Sequence, residues 1–234
     1  MSFLSIVLPV YNPPENWEQH VVMACQAITN ALGYPPEIIV VRDGGHKLSG
    51  EAVLKLEQSL PNCYCTGYEH NKGKGAALRF GIEKAKGEKL IYTDIDFPYT
   101  TESFLKIWEA LKYNDIVIGI KDDKYYQHVP KARVVISKSL RKLIGLLLRM
   151  PVTDTQCGLK GFNRNGRTIF LQTTINRYLC DLEFVYLCFK SKKGLKVTSK
   201  AITLRADVTF RKMNPRILMT ELSNFLSIII RKAA

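Results

Sequence analysis

The chain has 234 residues, of which 46% are apolar and 24% are charged, and its formal net charge is +13 at pH 7. This length and composition are typical of one large α/β domain and exclude a disordered or fibrous chain. No apolar stretch reaches the roughly 18 residues that a membrane-spanning helix requires. The amino terminus also lacks the segments of a signal peptide, so we expect a cytoplasmic protein.

The first half alternates between short apolar runs and amphipathic stretches. The apolar runs predict strands over residues 5–10, 37–41, 64–68, 89–93 and 115–120. The three- and four-residue spacing between them predicts helices over residues 17–28, 53–60, 76–85 and 101–111. This alternation is typical of an α/β fold with a Rossmann-like, mostly parallel central sheet flanked by helices. In such a sheet, ligands bind at the carboxyl ends of the strands.

The second half differs in its charge. Residues 1–117 contain 11 Lys and Arg against 14 Asp and Glu, a net of −3, whereas residues 118–234 contain 23 against 7, a net of +16. Such an asymmetry predicts an anionic partner for the second half, such as a phosphorylated substrate or an anionic membrane surface. Nucleic acid is not expected as a partner, because no binding module is recognised and aromatic residues are not interleaved with the basic runs.

Two basic amphipathic helices are predicted in this half. Residues 136–148 place six apolar side chains on one helical face, and a C-terminal amphipathic helix is predicted near residues 217–231. Such stripes more often face a core than a membrane. The position of the second helix near the end of the sequence nevertheless favours peripheral contact with the inner face of a membrane.

The strongest chemical feature is a pair of carboxylates at the end of a predicted strand. The strand over residues 89–93 runs directly into Asp94 and Asp96. A turn at this point would bring both carboxylates to the carboxyl end of the strand. Mg²⁺ or Mn²⁺ prefers such oxygen ligands and completes its shell with substrate phosphates. An Asp-x-Asp tripeptide such as residues 94–96 also occurs in surface turns. Its position after a buried strand nevertheless favours a metal site.

Two further segments lie at strand ends in the same half. Asp43 follows the strand over 37–41, where it either contacts a nucleotide or opens the next loop as an Asx turn. The glycine-rich segment 71–77 opens a helix, which would let a ligand approach its backbone N–H groups. This segment lacks the GxxxxGK[ST] pattern of a Walker A loop.

Taken together, these segments resemble the inverting family 2 glycosyltransferases with a GT-A fold. Later segments are similar to the polyprenyl-phosphate branch, which includes dolichyl-phosphate mannose synthases and dolichyl-phosphate β-glucosyltransferases. The matching segments are VLPVYN at 7–12, VVRDG at 40–44, NKGKGAA at 71–77, DID at 94–96, DTQCGLKGF at 154–162 and DLE at 181–183. The resemblance implies that a sugar is transferred from a nucleotide-sugar donor with inversion at the anomeric carbon.

On the donor side, the resemblance implies a metal site and a nucleotide pocket. Asp94 and Asp96 would bind Mg²⁺ or Mn²⁺ together with the donor and take part in catalysis. The pocket would be lined by Pro9, Tyr11, Asp43 and Lys74. A UDP-sugar is the preferred donor because residues 154–158 look more like the glucosyltransferase branch, and GDP-mannose is the alternative.

On the acceptor side, the resemblance implies that Arg133 and Arg205 bind phosphates, a task that suits the planar guanidinium group. Asp154 would bind substrate or brace the loop that receives the acceptor. A polyprenyl phosphate is already an anion and needs no strong base, whereas a sugar hydroxyl would need Asp181 or Glu183 as a base. The alternative for both carboxylates is a structural role at the start of a helix.

Four positions depart from the pattern of the family: Pro13, Arg42, Pro98 and Lys121. Two of them concern the binding of the metal and the donor most directly. Pro98 stands where mannose synthases of this type often carry a glutamine that binds the metal. Arg42 stands where many relatives have the first of two paired aspartates. Both departures affect the expected binding of the metal and the donor.

We therefore expect a GT-A catalytic domain over residues 1–210, followed by a C-terminal amphipathic helix over 211–234. Within the domain, 1–117 would bind the nucleotide sugar and 118–210 would form the basic acceptor side. The predicted enzyme is a metal-dependent hexosyltransferase that uses a polyprenyl phosphate and serves the synthesis of cell-envelope glycans. The alternatives are transfer to a sugar hydroxyl of a polysaccharide or lipopolysaccharide, a nucleotidyltransferase, a catalytically silent relative, or a basic protein that binds nucleic acid.

Overall fold

The computed structural model describes residues 3–45, 48–121, 129, 131–152, 154–208 and 215–233; for 132–133, 215–218 and 231–233 it describes the backbone only. The strands are β1 (Leu4–Val10), β2 (Glu37–Asp43), β3 (Cys63–Tyr68), β4 (Lys89–Tyr92), β5 (Ile116–Lys121), β6 (Lys160–Asn163) and β7 (Val197–Ile202). The helices are α1 (Trp17–Leu32), α2 (Gly50–Ser59), α3 (Lys74–Lys84), α4 (Thr101–Ala110), α5 (Lys131–Leu143), α6 (Arg164–Phe170), α7 (Cys180–Lys190) and α8 (Pro215–Ala233). A π-helical turn (Ile144–Leu148) continues α5.

The seven strands form one sheet in the order β3-β2-β1-β4-β6-β5-β7. β6 is antiparallel to both of its neighbours, β4 and β5, and the other pairings are parallel. The carboxyl ends of six strands therefore lie at one edge of the sheet. The chain moves from β1 to β2 on one side and later returns to place β4 on the other side. This reversal is the point at which open α/β sheets bind ligands.

The core has two layers, one on each face of the sheet. Within β2, Ile39 and Val41 pack on one face, whereas Ile38 and Val40 pack on the other. α3, α6, α7 and α8 contribute buried side chains to the first layer, and α1, α2 and α4 contribute to the second. Burial on both faces explains why the parallel strands read as continuous apolar runs. The predicted α/β fold with a mostly parallel, helix-flanked sheet is confirmed.

The helix predicted over residues 136–148 differs from the observed structure in its last turn. The wider π-helical turn shifts the side chains that follow α5 away from the register of a regular helix. Ile144 and Leu148 enter the core as predicted, whereas Leu143 and Leu147 remain exposed to solvent. The predicted apolar face is therefore only partly buried.

The C-terminal amphipathic helix predicted near 217–231 is confirmed as α8. Its side chains Phe225 and Ile228 are buried in the first core layer, so α8 packs against the body of the protein. In the part of the chain that the structure describes, none of the helices is both long and apolar enough to cross a bilayer.

Candidate active site

A cleft of about 930 Å³ opens at the carboxyl edge of the sheet, where β1 and β4 diverge. The segments that follow β1, β4 and β7 line it, together with the end of β2 and the start of α3. The predicted site residues among its lining are Pro9, Tyr11, Asp43, Lys74, Asp94, Asp96, Asp181 and Arg205. The side chain of Arg133 lies outside the described residues, although its backbone belongs to α5.

The two aspartates after β4 are half-buried and both line the cleft, whereas Ile95 between them packs into the core. The chain turns here, because the N–H of Phe97 donates to the carbonyl oxygen of Asp94 at 3.0 Å. The Asp94 side chain is 42% exposed, and its Oδ1 lies 2.8 Å from Nζ of Lys74. Its other oxygen lies over Gly158, where an added Cβ would approach Oδ2 to 2.5 Å. The absence of a side chain at Gly158 thus leaves room for this carboxylate.

Few side chains at this turn could bind a metal ion. Among the described residues, no group of three or more His, Cys, Asp or Glu side chains could hold a metal ion by itself. Two carboxylates suit Mg²⁺, which commonly binds one or two protein carboxylates and takes its other oxygens from water and phosphate. Pro98 also lines the cleft and contributes no side-chain ligand. Asp94 and Asp96 therefore fit a divalent cation that arrives with a diphosphate.

Lys74 connects the exposed carboxylate to a buried ionic cluster centred on Asp181. Nζ of Lys74 lies 3.6 Å from Oδ2 of Asp181, whose side chain is only 4% exposed. Oδ1 of Asp181 accepts hydrogen bonds from the hydroxyl of Tyr92, at 2.5 Å, and from the ammonium group of Lys160. Lys160 itself is fully buried. Two cations and one hydroxyl thus surround the Asp181 carboxylate.

These contacts keep both members of the Lys74–Asp181 pair charged. Burial alone would raise the pKa of Asp181, but the ammonium groups of Lys160 and Lys74 hold it below its usual value. Burial would lower the pKa of Lys74, but Asp94 and Asp181 raise it above its usual value. A carboxylate with a lowered pKa and occupied oxygens is a weak base, so this environment opposes the predicted alternative in which Asp181 acts as a general base.

Asp43 organises the loop that precedes α3. Its buried carboxylate accepts hydrogen bonds from the N–H groups of Lys72 (2.7 Å) and Gly73 (2.9 Å), and from the side-chain amide of Asn71 (3.0 Å). A carboxylate offers about four acceptor positions. Most of the capacity of Asp43 is therefore committed to the loop at residues 71–73 and not to the loop directly after Asp43 that the Asx-turn alternative predicted, although the residue still lines the cleft.

Another segment of the chain, the loop that precedes α7, lies against the glycine-rich segment 71–77. The N–H groups of Gly75 and Ala76 both donate to the carbonyl oxygen of Asn176, at 2.7 and 3.3 Å. At Gly73, where φ is +106°, an added Cβ would lie 2.4 Å from the same oxygen. The expectation that a ligand approaches these N–H groups is therefore wrong, because the loop before α7 occupies that space.

That loop, residues 173–179, forms one wall of the cleft and is held by three side chains. Glu183 accepts hydrogen bonds from the N–H groups of Thr174 (2.8 Å) and Ile175 (2.7 Å). Arg79 donates to the carbonyl oxygen of Ile175 at 3.0 Å. Glu221 of α8 accepts from the N–H group of Leu179 at 2.9 Å. Glu183 is thus placed as a structural carboxylate at the start of a helix, outside the cleft lining.

Another part of the cleft lining contains the predicted phosphate ligand Arg205. Its guanidinium group lies 2.9 Å from Nδ1 of His20 and 3.2 Å from the carboxylate of Asp207. Arg177, on the wall loop, also lines the cleft. Two arginines from separate segments therefore border the same space, and only one of them was predicted.

Asp154 lies apart from the lining residues. Its buried carboxylate accepts from the N–H of Lys121 at 2.6 Å and pairs with Arg141 of α5. It braces the start of segment 154–158, whose residues Gln156 and Gly158 reach the cleft. This placement corresponds to the predicted bracing role and not to direct contact with a substrate.

Sequence motifs did not single out Tyr92, Lys160 or Arg177. Tyr92 lies in a predicted strand, where the pattern of apolar residues indicates only burial, and Lys160 lies in β6, which has no such pattern. One signal was available: a buried carboxylate such as Asp181 requires a cation. The sequence does not indicate which of the 34 Lys and Arg residues provides it.

The sequence is similar to characterised families of enzymes. Residues 5–168 match the family described as Glycosyl transferase family 2. A dolichyl-phosphate beta-glucosyltransferase of Trichomonas vaginalis is 27% identical over 207 residues, which cover 84% of this chain and 64% of that protein. The enzyme of the same description from Drosophila melanogaster is 25% identical over 230 residues, with coverages of 91% and 69%. An undecaprenyl-phosphate 4-deoxy-4-formamido-L-arabinose transferase of Aeromonas hydrophila is 26% identical over 174 residues, with coverages of 70% and 50%. The chain thus spans less than two thirds of the length of the first of these relatives.

Solved structures share the fold at low sequence identity. Mannosyl-3-phosphoglycerate synthase from Rubrobacter xylanophilus superimposes with a TM-score of 0.72 at 14% identity, covering 99% of this chain and 74% of that one. Glucosyl-3-phosphoglycerate synthase from Mycobacterium tuberculosis, in complex with Mn²⁺, UDP and phosphoglyceric acid, gives a TM-score of 0.62 at 16% identity, covering 93% and 73%. These likenesses confirm the GT-A architecture.

Proposed function

The chain belongs to glycosyl transferase family 2, and from this premise we propose that it transfers a sugar from a nucleotide-sugar donor to a polyprenyl phosphate with inversion at the anomeric carbon. One observation carries the proposal. The half-exposed carboxylates of Asp94 and Asp96 share one cleft with the arginines Arg177 and Arg205. A donor diphosphate bound through a cation and an anionic acceptor need these two kinds of group side by side.

The donor would bind on the side of β1, β2 and β4. Asp94 and Asp96 would hold Mg²⁺ or Mn²⁺ together with the diphosphate, and the cation would neutralise part of the charge on the leaving group. Lys74 keeps its proton and stays next to Asp94, so it adds positive charge where the diphosphate would leave. Pro9 and Tyr11 offer apolar surface to the nucleoside.

The acceptor would enter between the wall loop and Arg205. Arg177 and Arg205 can orient a phosphate because a guanidinium group pairs with two phosphate oxygens at once. A phosphate oxygen is already anionic and can attack the anomeric carbon without first losing a proton. An acceptor that needs no base is consistent with the environments of Asp181 and Glu183, the two carboxylates that were candidates for a general base. Asp181 has a lowered pKa, and Glu183 is bound to the wall loop.

The identity of the donor is the finer part of the proposal. A UDP-sugar is favoured because DTQCG at 154–158 resembles the glucosyltransferase branch. Two of the relatives described above are named as dolichyl-phosphate beta-glucosyltransferases. GDP-mannose is the competing donor. Transfer to a sugar hydroxyl is the competing reaction, and it would require a base other than Asp181 and Glu183.

The test is a panel of donors and acceptors. UDP-glucose and GDP-mannose are each incubated with Mn²⁺ or Mg²⁺, with or without a short-chain polyprenyl phosphate, and the released UDP or GDP is measured. We expect release of UDP only when the polyprenyl phosphate is present. The matched control is the polyprenol of the same chain length without its phosphate, which should give no release above hydrolysis.

Each other outcome changes a defined part of the proposal. Release with a glycan and none with the polyprenyl phosphate would overturn the acceptor. Equal turnover after the divalent cations are removed with a chelator would overturn the metal site. Release of pyrophosphate in place of a nucleoside diphosphate would indicate a nucleotidyltransferase.

A further inference from the structure

Two helical segments of the basic half expose a row of apolar side chains. Leu146, on the π-helical turn, is 70% exposed, and Met219 and Ile230, on α8, are each 69% exposed. Together they form a surface that we call the docking face. Its members are Leu143, Leu146, Leu147, Met219, Leu222, Leu226 and Ile230.

The row on α8 is separate from the face that this helix buries. Its members are spaced by three, four and four residues, which places them on one stripe of a helix. Phe225 and Ile228, on an adjacent stripe, are buried in the core. The helix therefore has two apolar faces, and only one is needed for packing. An exposed apolar surface of this kind is typical of an interaction site.

The charged residues around the docking face indicate which kind of partner it binds. Residues 131–149 contain six Lys and Arg and no Asp or Glu. Among them Lys138, Lys142 and Arg149 are exposed. A second copy of this chain would bring like charges together, whereas an anionic bilayer offers both the opposite charge and an apolar interior. Exposed apolar side chains next to Lys and Arg characterise helices that lie in the membrane interface.

Both segments are attached to the walls of the cleft. On α8, Glu221 immediately precedes Leu222 of the docking face, and its carboxylate accepts from the N–H groups of Tyr178 (3.3 Å) and Leu179 (2.9 Å) of the wall loop. On α5, Arg141 pairs with Asp154, which starts the segment whose residues Gln156 and Gly158 line the cleft. A bilayer against the docking face would thus lie close to the entrance used by an acceptor.

We infer that the docking face binds the surface of an anionic lipid bilayer, with its leucines in the headgroup region and its cations at the lipid phosphates. The role of this surface rests on the proposed function, since it would bring the cleft to a membrane-borne polyprenyl phosphate. Docking itself needs neither donor nor acceptor. It can therefore be measured even if the proposed reaction is wrong.

The test is flotation of the full chain with vesicles that contain no polyprenyl phosphate. Vesicles of phosphatidylcholine alone are compared with vesicles that also contain phosphatidylglycerol. We expect binding to the anionic vesicles, binding at least about tenfold weaker to the neutral ones, and loss of binding at high salt.

Two double variants locate the binding surface. Leu222→Ser with Leu226→Ser should weaken binding to anionic vesicles at least about tenfold, because two apolar side chains no longer enter the interface. Its matched control is Leu54→Ser on α2, an equally exposed leucine on the acidic half. Lys138→Glu with Lys142→Glu should weaken binding by a similar factor. Its control is Lys192→Glu with Lys193→Glu, which changes the net charge equally at exposed positions after α7.

The inference is overturned if the wild-type chain does not bind anionic vesicles, or if the control variants lose binding as strongly as the test variants. It is also overturned if light scattering shows that the wild-type chain self-associates and that Leu222→Ser with Leu226→Ser dissociates it. Turnover of the variants with a short, water-soluble acceptor should equal that of the wild type. Equal turnover with lost vesicle binding would separate the docking face from the catalytic site.

Discussion

Asp94 and Asp181 both pair with Lys74, yet they belong to different regions of the molecule. Asp94 follows a parallel strand of the acidic half, has a 42% exposed side chain and contacts one cation. Asp181 begins a helix of the basic half, has a 4% exposed side chain and contacts two cations and a tyrosine. The first carboxylate retains capacity for a ligand, whereas the second is committed to the fold. The two therefore differ in exposure and in bonding, although their side chains are identical, and we expect them to differ in function for this reason.

The largest expected effect concerns the committed carboxylate. Lys160→Met should lower the free energy of unfolding by about 3–5 kcal/mol, because it leaves Asp181 buried with one of its two cations removed. Urea unfolding monitored by circular dichroism measures this change. Adding Asp181→Asn to the same chain should restore a large part of the loss. A single variant as stable as the wild type would contradict the assignment of Lys160 as the main counter-ion.

For Asp94 we expect a large effect on turnover and a small effect on stability. Asp94→Asn is expected to lower turnover about a hundredfold to a thousandfold, because charge neutralisation at the leaving diphosphate is lost. Its free energy of unfolding should change by no more than about 1 kcal/mol, since the side chain is half exposed. The matched control is Glu88→Gln, an exposed position immediately before β4. Wild-type turnover in Asp94→Asn would remove Asp94 from the donor site.

A smaller effect tests the space around Asp94. In Gly158→Ala, the new Cβ would lie 2.5 Å from Oδ2 of Asp94, so the carboxylate must move. We expect turnover to fall about tenfold, since small misplacements at a site have large kinetic costs. Gly50→Ala is the control, because nothing lies within 4 Å of its added Cβ. The control should keep full activity and equal or greater stability.

The smallest effect is the dependence of stability on pH. The folded protein lowers the pKa of Asp181, so its ionised form stabilises the fold above the unfolded pKa of about 4. This contribution is lost as the pH falls through the lower folded value. As the pH falls below about 4, the free energy of unfolding should therefore fall more steeply for the wild type than for Asp181→Asn. Parallel curves for the two proteins would show that Asp181 does not titrate differently on folding.

The regions also differ in how far the sequence predicts them. In the acidic half, the predicted bounds of most strands and helices lie within about two residues of the observed ones, because each parallel strand has a strong apolar signal of its own. β6 was not predicted. It has four residues, two of which are Lys160 and Gly161, and it exists because β4 and β5 pair with it from both sides. Its formation depends on tertiary contacts that local sequence does not encode.

The same distinction applies to the cleft. The positions of Asp43 and Asp94 follow from strand ends, so local pattern was sufficient to predict that both lie at the same edge of the sheet, where they line one cleft. The occupation of the α3 N–H groups by Asn176 depends on a loop about a hundred residues further along the chain. The pairing of Lys160 with Asp181 could not be predicted for the same reason, since Lys160 reaches Asp181 only when β6 is part of the sheet. Both features depend on long-range pairing, which the local sequence pattern does not encode.

The pairing of Lys160 with Asp181 also defines how much chain the fold requires. The family match ends at residue 168, between these two residues. A fragment cut there would bury an ammonium group without its counter-ion, and it would lose the loop that closes on α3. The region that the family model matches is thus shorter than the region that contains both members of this ion pair, which extends to the helix α7 (Cys180–Lys190).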